Sequence, residues 1–152
     1  RDEYDKALYL FAGKMALKTQ QEEKAINYLQ QAIALDPEYM EATIVLMGTY
    51  NQREMYGEII DLYETLEREQ IEFTAILPIV ANAYSEDEQF EKANSLYALA
   101  YNELNEDTEF LETYCYFLIE DGQREKAREV AEQLVKLNPT SEQALTLLER
   151  FE

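Results

Sequence analysis

The chain of 152 residues has no histidine, no tryptophan, one cysteine, three prolines and four glycines. Without histidine it lacks the commonest general base and metal ligand at neutral pH, so no catalytic constellation, metal site or cofactor is expected. The lone Cys115 has no internal partner. That excludes the disulfide framework of small secreted domains and favours a reducing compartment, with the cytoplasm as the default location. Basic residues are scarce, 13 against 32 acidic ones for a net charge of -19. Such a chain repels nucleic acid and anionic lipid surfaces. No apolar run approaches the roughly 18 residues that span a bilayer, so membrane insertion is not expected. The first residue is Arg1 rather than methionine, which reads as a fragment of a longer protein.

What is present is helix-forming. Hydrophobic residues make up 47% of the chain, enough for the core of one ordinary domain, and alanine, leucine, glutamate, glutamine and lysine dominate. An all-α fold follows. Self-similarity appears at a period of 34, with blocks opening at Lys6, Met40, Thr74 and Thr108 and a partial fifth at Ser141. One column holds Ala25, Ile59, Ala93 and Ala127; four places on come Leu29, Tyr63, Tyr97 and Ala131, and three further Ala32, Leu66, Ala100 and Leu134. This i, i+4, i+7 spacing marks one face of a second helix in each block. A first helix buries Tyr9, Leu77, Leu111 and Leu145, then Leu46, Val80 and Tyr114, then Gly13, Ala81 and Cys115, then Tyr50, Tyr84 and Leu118. Polar breaks at Thr19-Gln20-Gln21, Asn51-Gln52-Arg53, Ser85-Glu86-Asp87 and Glu120-Asp121-Gly122 join the two helices. Leu35-Asp36-Pro37 and Leu137-Asn138-Pro139 end second helices, because proline disfavours α geometry in the residue before it.

This pattern resembles the tetratricopeptide repeat, over nearly the whole chain from Lys6 to about Phe151. Gly13, Ala25, Leu29, Ala32, Asp36 and Pro37 in the first block match it, as do Leu111, Gly122, Ala127, Leu134, Asn138 and Pro139 in the fourth. The resemblance implies one domain over residues 1–152, with repeats at about 6–39, 40–73, 74–107 and 108–141 and a capping helix at 141–151. Its fold would be a right-handed α-solenoid of antiparallel helix pairs, about nine helices in a superhelix, with first helices lining a concave groove. Family members of this kind hold partner segments there, as adaptors, scaffolds or assembly factors.

Departures carry their own expectations. The second block has Met47, Ile59 and Leu66 where small residues let helices approach, and Ile71 in place of the closing proline, so its helix pair should be wider. Pro78 should delay the first helix of the third block to Ile76 or Leu77, or kink it.

In this register the groove is lined by Leu10, Phe11, Lys14 and Lys18 from the first block and by Ile44, Val45 and Asn51 from the second. The third gives Ile79 and Asn82; the fourth gives Glu109, Glu112, Thr113 and Tyr116. Such a surface suits an apolar peptide or helix with an acidic end near Lys14 and Lys18 and a basic end near Glu109 and Glu112. The subtype that clamps the C-terminal carboxylate of chaperones needs lysine, asparagine and arginine at set positions. These hold Leu10, Lys14, Val45, Ala75 and Ile79, of which only Lys14 serves.

Other features have plain structural readings. Cys115 shares a column with Gly13 and Ala81 and reads as a small core residue. Tyrosines at 50, 63, 84, 97 and 114 fall in core columns. Acidic clusters such as Glu86-Asp87-Glu88 lack the ligand spacing of a calcium loop, whereas Asp107 and Ser141 stand where helices need N-caps. Two surfaces look unsealed. Tyr4, Ala7, Leu8 and Phe11 crowd the first helix with apolar side chains; the last helix, with Leu145, Leu147, Leu148 and Phe151, can cap the fourth block, while Leu147 and Phe151 also form a second stripe at i, i+4 open to missing sequence. The alternative to a groove-binding module is therefore a segment of a longer array that self-associates through its N-terminal helix.

Overall fold

The computed structural model describes residues 2–152; Arg1 lies outside the described residues. Nine α-helices and no strand occur among them. They are α1 Asp2–Lys18, α2 Glu22–Leu35, α3 Met40–Gln52, α4 Tyr56–Arg68, α5 Leu77–Glu86, α6 Phe90–Leu104, α7 Thr108–Glu120, α8 Arg124–Leu137 and α9 Glu142–Glu149. A single 3-10 turn, Thr74–Ile76, precedes α5. Pro78 therefore lies in the first turn of α5, where a missing N–H leaves no bond unmade, and the late start that it requires is observed. The helices gather into two compact units, Arg1–Gln89 and Phe90–Glu152, divided inside the third block between its two helices.

In the first unit α1 packs along α2. Gly13 permits this: a Cβ there would stand 2.9 Å from Leu29 Cγ. Lys6 Nζ donates to Asp36 Oδ2 at 2.5 Å, tying α1 to the end of α2, and this bond holds the Asp36 carboxyl below its usual range. Next α2 meets α3, α3 meets α4, and α5 meets both α3 and α4. Met47, Ile59 and Leu66 are all buried. The α3 and α4 backbones approach over a much shorter stretch than those of α1 and α2.

In the second unit α6 packs on α7, α7 on α8 and α8 on α9. Its core is aromatic. The Tyr97 ring stacks on Tyr114 at 5.5 Å between centroids and tilts against Phe117 at 4.8 Å and Phe110 at 6.2 Å. Asp107 and Ser141 cap α7 and α9, accepting from the backbone N–H of Phe110 and Ala144 at 3.1 and 3.2 Å.

The 34-residue period is also present in the backbone. Gln20, Glu54, Glu88 and Gly122 have φ of 58°, 56°, 61° and 78°, each just past a first helix and each 34 residues after the last. In every case the next N–H reaches back to the carbonyl five residues earlier, Gln21 to Ala16, Met55 to Tyr50, Gln89 to Tyr84 and Gln123 to Leu118, at 2.8–2.9 Å. This is a left-handed helix stop with its six-to-one bond, filled by glycine once and by glutamine or glutamate three times. A further copy stands at Gln70 (φ 58°), with Ile71 bonded to Leu66 O. It ends α4 where the first and fourth blocks use proline.

Two expectations need correction. The second and third turns lie two residues later than expected, since Asn51-Gln52 and Ser85-Glu86 still belong to α3 and α5; the helix runs on until the left-handed residue stops it. Leu145 is exposed, and α9 with the turn after it instead buries Ala144, Leu147 and Phe151. That stripe has three members at i, i+3, i+7, more apolar surface than Leu145 offers, and the Arg124 guanidinium covers the Phe151 ring at 5.3 Å. Leu147 and Phe151 thus pack on the unit, as the capping role expected of the last helix requires.

Candidate protein-binding face

Each unit presents its share of the candidate residues. In the first, Lys14 Nζ donates to Glu41 Oε1 at 2.6 Å, an exposed pair linking α1 to α3. Lys18 is exposed in the last turn of α1. Ile44 and Val45 on α3 and Ile79 on α5 are half-buried, as are Asn51 and Asn82, and Asn82 Nδ2 donates to Asn51 Oδ1 at 3.4 Å. These side chains form an apolar strip beside an amide pair on neighbouring helices. Leu10 does not join them: it is only 6% exposed. Three residues before Gly13, it shares that residue's core-facing side of α1 and packs down with it.

Phe11 faces the other way. With Tyr4, Leu8 and Met15 it forms an outward stripe on α1, the four being 69%, 48%, 63% and 43% exposed. Spacings of four, three and four keep them on one side of the helix. Met15, not among the residues expected on this surface, completes the period.

In the second unit all four candidates lie on α7. Glu109 and Thr113 are exposed, and the Thr113 hydroxyl donates to Glu109 O at 3.2 Å. Glu112 is half-buried. Tyr116 is exposed on one side only, because the Arg150 guanidinium stands 5.6 Å from its ring centroid. Arg150 was not anticipated and brings a cation into a set otherwise acidic. Behind them Cys115 is fully buried, its Sγ donating to Ala127 O at 3.4 Å. Burial pushes the thiol up to about 11, against a smaller lowering by Arg150. It stays protonated and is no nucleophile at neutral pH.

Among the described residues no group of histidine, cysteine, aspartate or glutamate is arranged to hold a metal ion, and no helix is long and apolar enough to cross a membrane. The arrangement offers shape, amides, apolar contact and charge, which is the chemistry of recognition.

Known proteins place this geometry. A family model for YpiA-like, C-terminal tetratricopeptide repeats matches residues 79–141, and one for the tetratricopeptide repeat matches residues 6–39. The TPR repeat-containing protein YpiA of Bacillus subtilis (strain 168) is 36% identical over 151 residues, 99% of this chain. The chain spans only 36% of that relative's length. Among solved structures, MamA from Desulfovibrio magneticus RS-1 superposes with a TM-score of 0.82 at 14% identity, covering 97% of this chain and 83% of the other. YrrB, described as a TPR protein with an unusual peptide-binding site, gives 0.73 at 19% identity, covering 94% and 82%. At such identities the likeness is one of fold, an all-α solenoid of helix pairs. By its repeats, by both family models and by this fold, the chain belongs to the tetratricopeptide-repeat family.

Proposed function

We propose that residues 1–152 act as one protein–protein interaction domain that holds a partner peptide or helix in a concave groove, as an adaptor, scaffold or assembly factor without catalytic activity. The observation that carries this reading is the strip of Ile44, Val45 and Ile79 beside the Asn51–Asn82 amide pair. Half-buried aliphatic side chains next to amides with further donors and acceptors to offer are what a polypeptide ligand covers and pairs. That YrrB is described as having a peptide-binding site supports the reading by analogy. An acidic end of the partner would lie by Lys18 and Lys14 in the first unit. Glu41 already neutralises Lys14, so Lys18 carries more of that attraction. A reducing, cytoplasmic setting belongs to the same proposal. The test is affinity capture with the chain and with Val45→Glu/Ile79→Glu, followed by titration of the retained protein. The double variant is expected to bind at least about tenfold more weakly, since a buried unpaired carboxylate opposes docking. Equal binding by both would remove the groove from consideration.

A second reading rests on the outward stripe of Tyr4, Leu8, Phe11 and Met15. Solvent-facing apolar side chains in a continuous row mark a surface that another helix covers. On that reading the chain's mass rises with concentration in light scattering, and Leu8→Glu/Phe11→Glu holds it at the monomer value. A mass independent of concentration in the unaltered chain removes self-association.

A further inference from the structure

Of the four glycines, two have a local reason to be glycine and a third lies where glycine costs the helix little. A side chain at Gly13 would strike Leu29; Gly122 has φ +78°; Gly57 is the second residue of α4, outside the helix interior where glycine is unfavourable. Gly48 has none of these. It lies in the interior of α3 at ordinary helical geometry, and a Cβ there would meet nothing within 4 Å. Alanine would fit and would favour the helix.

Its surroundings give it a use. Ile44 and Val45 lie one turn before it and Asn51 one turn after, on the same side of α3. Asn82 reaches Asn51 from α5, and that single bond leaves the Asn51 Nδ2 hydrogens and Asn82 Oδ1 without partners among the described residues. A donor and an acceptor side by side complement one peptide group. A helix keeps its own N–H and C=O groups bonded internally and has no use for such a pair; an extended strand exposes them. Charge adds a direction: Lys18 closes α1 and Glu86 closes α5, on either side of the amides near the end of α3. The unit as a whole carries 18 acidic residues against 7 basic ones, so a cationic side chain is the one it attracts.

We propose that the occupant of this face is an extended polypeptide segment, with a basic side chain toward Glu86, whose backbone crosses α3 over Gly48. The bare glycine lets that backbone approach closely enough for its peptide group to reach Asn51 and Asn82. This rests on the protein-binding reading above.

The probe is a displayed library of short random peptides selected on the chain, the enriched sequences then being titrated as synthetic peptides by fluorescence anisotropy. Gly48→Leu should weaken them by at least about tenfold, while Gly57→Leu leaves them unchanged. Gly48→Ala should raise the thermal unfolding midpoint, which shows that the fold does not need this glycine. Enriched peptides should carry lysine or arginine and lack helical apolar spacing. Peptides that lose binding with Ile79→Glu but keep it with Gly48→Leu would overturn the crossing over Gly48 and leave the groove intact. Peptides with apolar residues every three or four positions would overturn the extended form in favour of a helix. No enrichment, or binding indifferent to Ile79→Glu, would overturn the groove reading and this inference together.

Discussion

Tyr97→Ala should cost the Phe90–Glu152 unit about 3–5 kcal/mol, the range for removing a large buried aromatic side chain. Tyr97 is buried and its ring touches those of Phe110, Tyr114 and Phe117. Truncation would therefore leave a cavity bordered by three rings, each of which loses its pairing with Tyr97, and an aromatic pair is worth about 0.5–1.5 kcal/mol beyond its area. The second unit has 63 residues, from Phe90 to Glu152, and a core that small has little stability to lose. Denaturant unfolding followed by circular dichroism measures the loss. Tyr97→Phe retains the ring and should cost less than half as much. A loss below about 1 kcal/mol for Tyr97→Ala would mean that the rings are not packed as a cluster.

Gly13→Val should destabilise the first unit by about 1–3 kcal/mol through overpacking. The new Cβ would begin 2.9 Å from Leu29 Cγ. Leu29 has nowhere to withdraw, being fully buried between α1 and the rest of the unit. Branching at Cβ adds two methyl groups to the same gap. The cause can be isolated by a double-mutant cycle with Leu29→Ala, which opens the space that valine needs. The two changes together should cost less than the sum of each alone by about 0.5–3 kcal/mol. Strict additivity would place the effect of Gly13→Val elsewhere.

These two sites show what the sequence makes legible. Gly13, Leu29 and Tyr97 fall in columns of a 34-residue repeat, and a repeat fixes helix, face and neighbour at once because each block solves the same burial problem. Pro78, Asp107 and Ser141 were legible for a different reason: a missing N–H and a side-chain cap act within one turn. The candidate face was less so. Leu10 moved to the core and Phe11 to the outside although they are adjacent, because a helix apolar around most of its circumference does not say which arc faces inward. Arg150 covers Tyr116 from the C-cap of α9, a contact between residues 34 apart that no local pattern encodes. Leu145 had the right column and the wrong face, since α9 is short and turned to bury the larger of its two stripes. Gly48 was visible as a residue, but its open surroundings were not.

The left-handed stops at 20, 54, 88 and 122 bear on how such a chain is inherited. Their residues differ while their geometry repeats, so what a gene must preserve is the count between them. A duplication or deletion of one whole repeat returns every stop to the carbonyls it serves. A gain of any other length inside a helix carries the stop past them and leaves that helix open-ended. Growth by complete units is thus tolerated where growth by single residues is not, and lineages of this architecture should vary in number of repeats more readily than in their length.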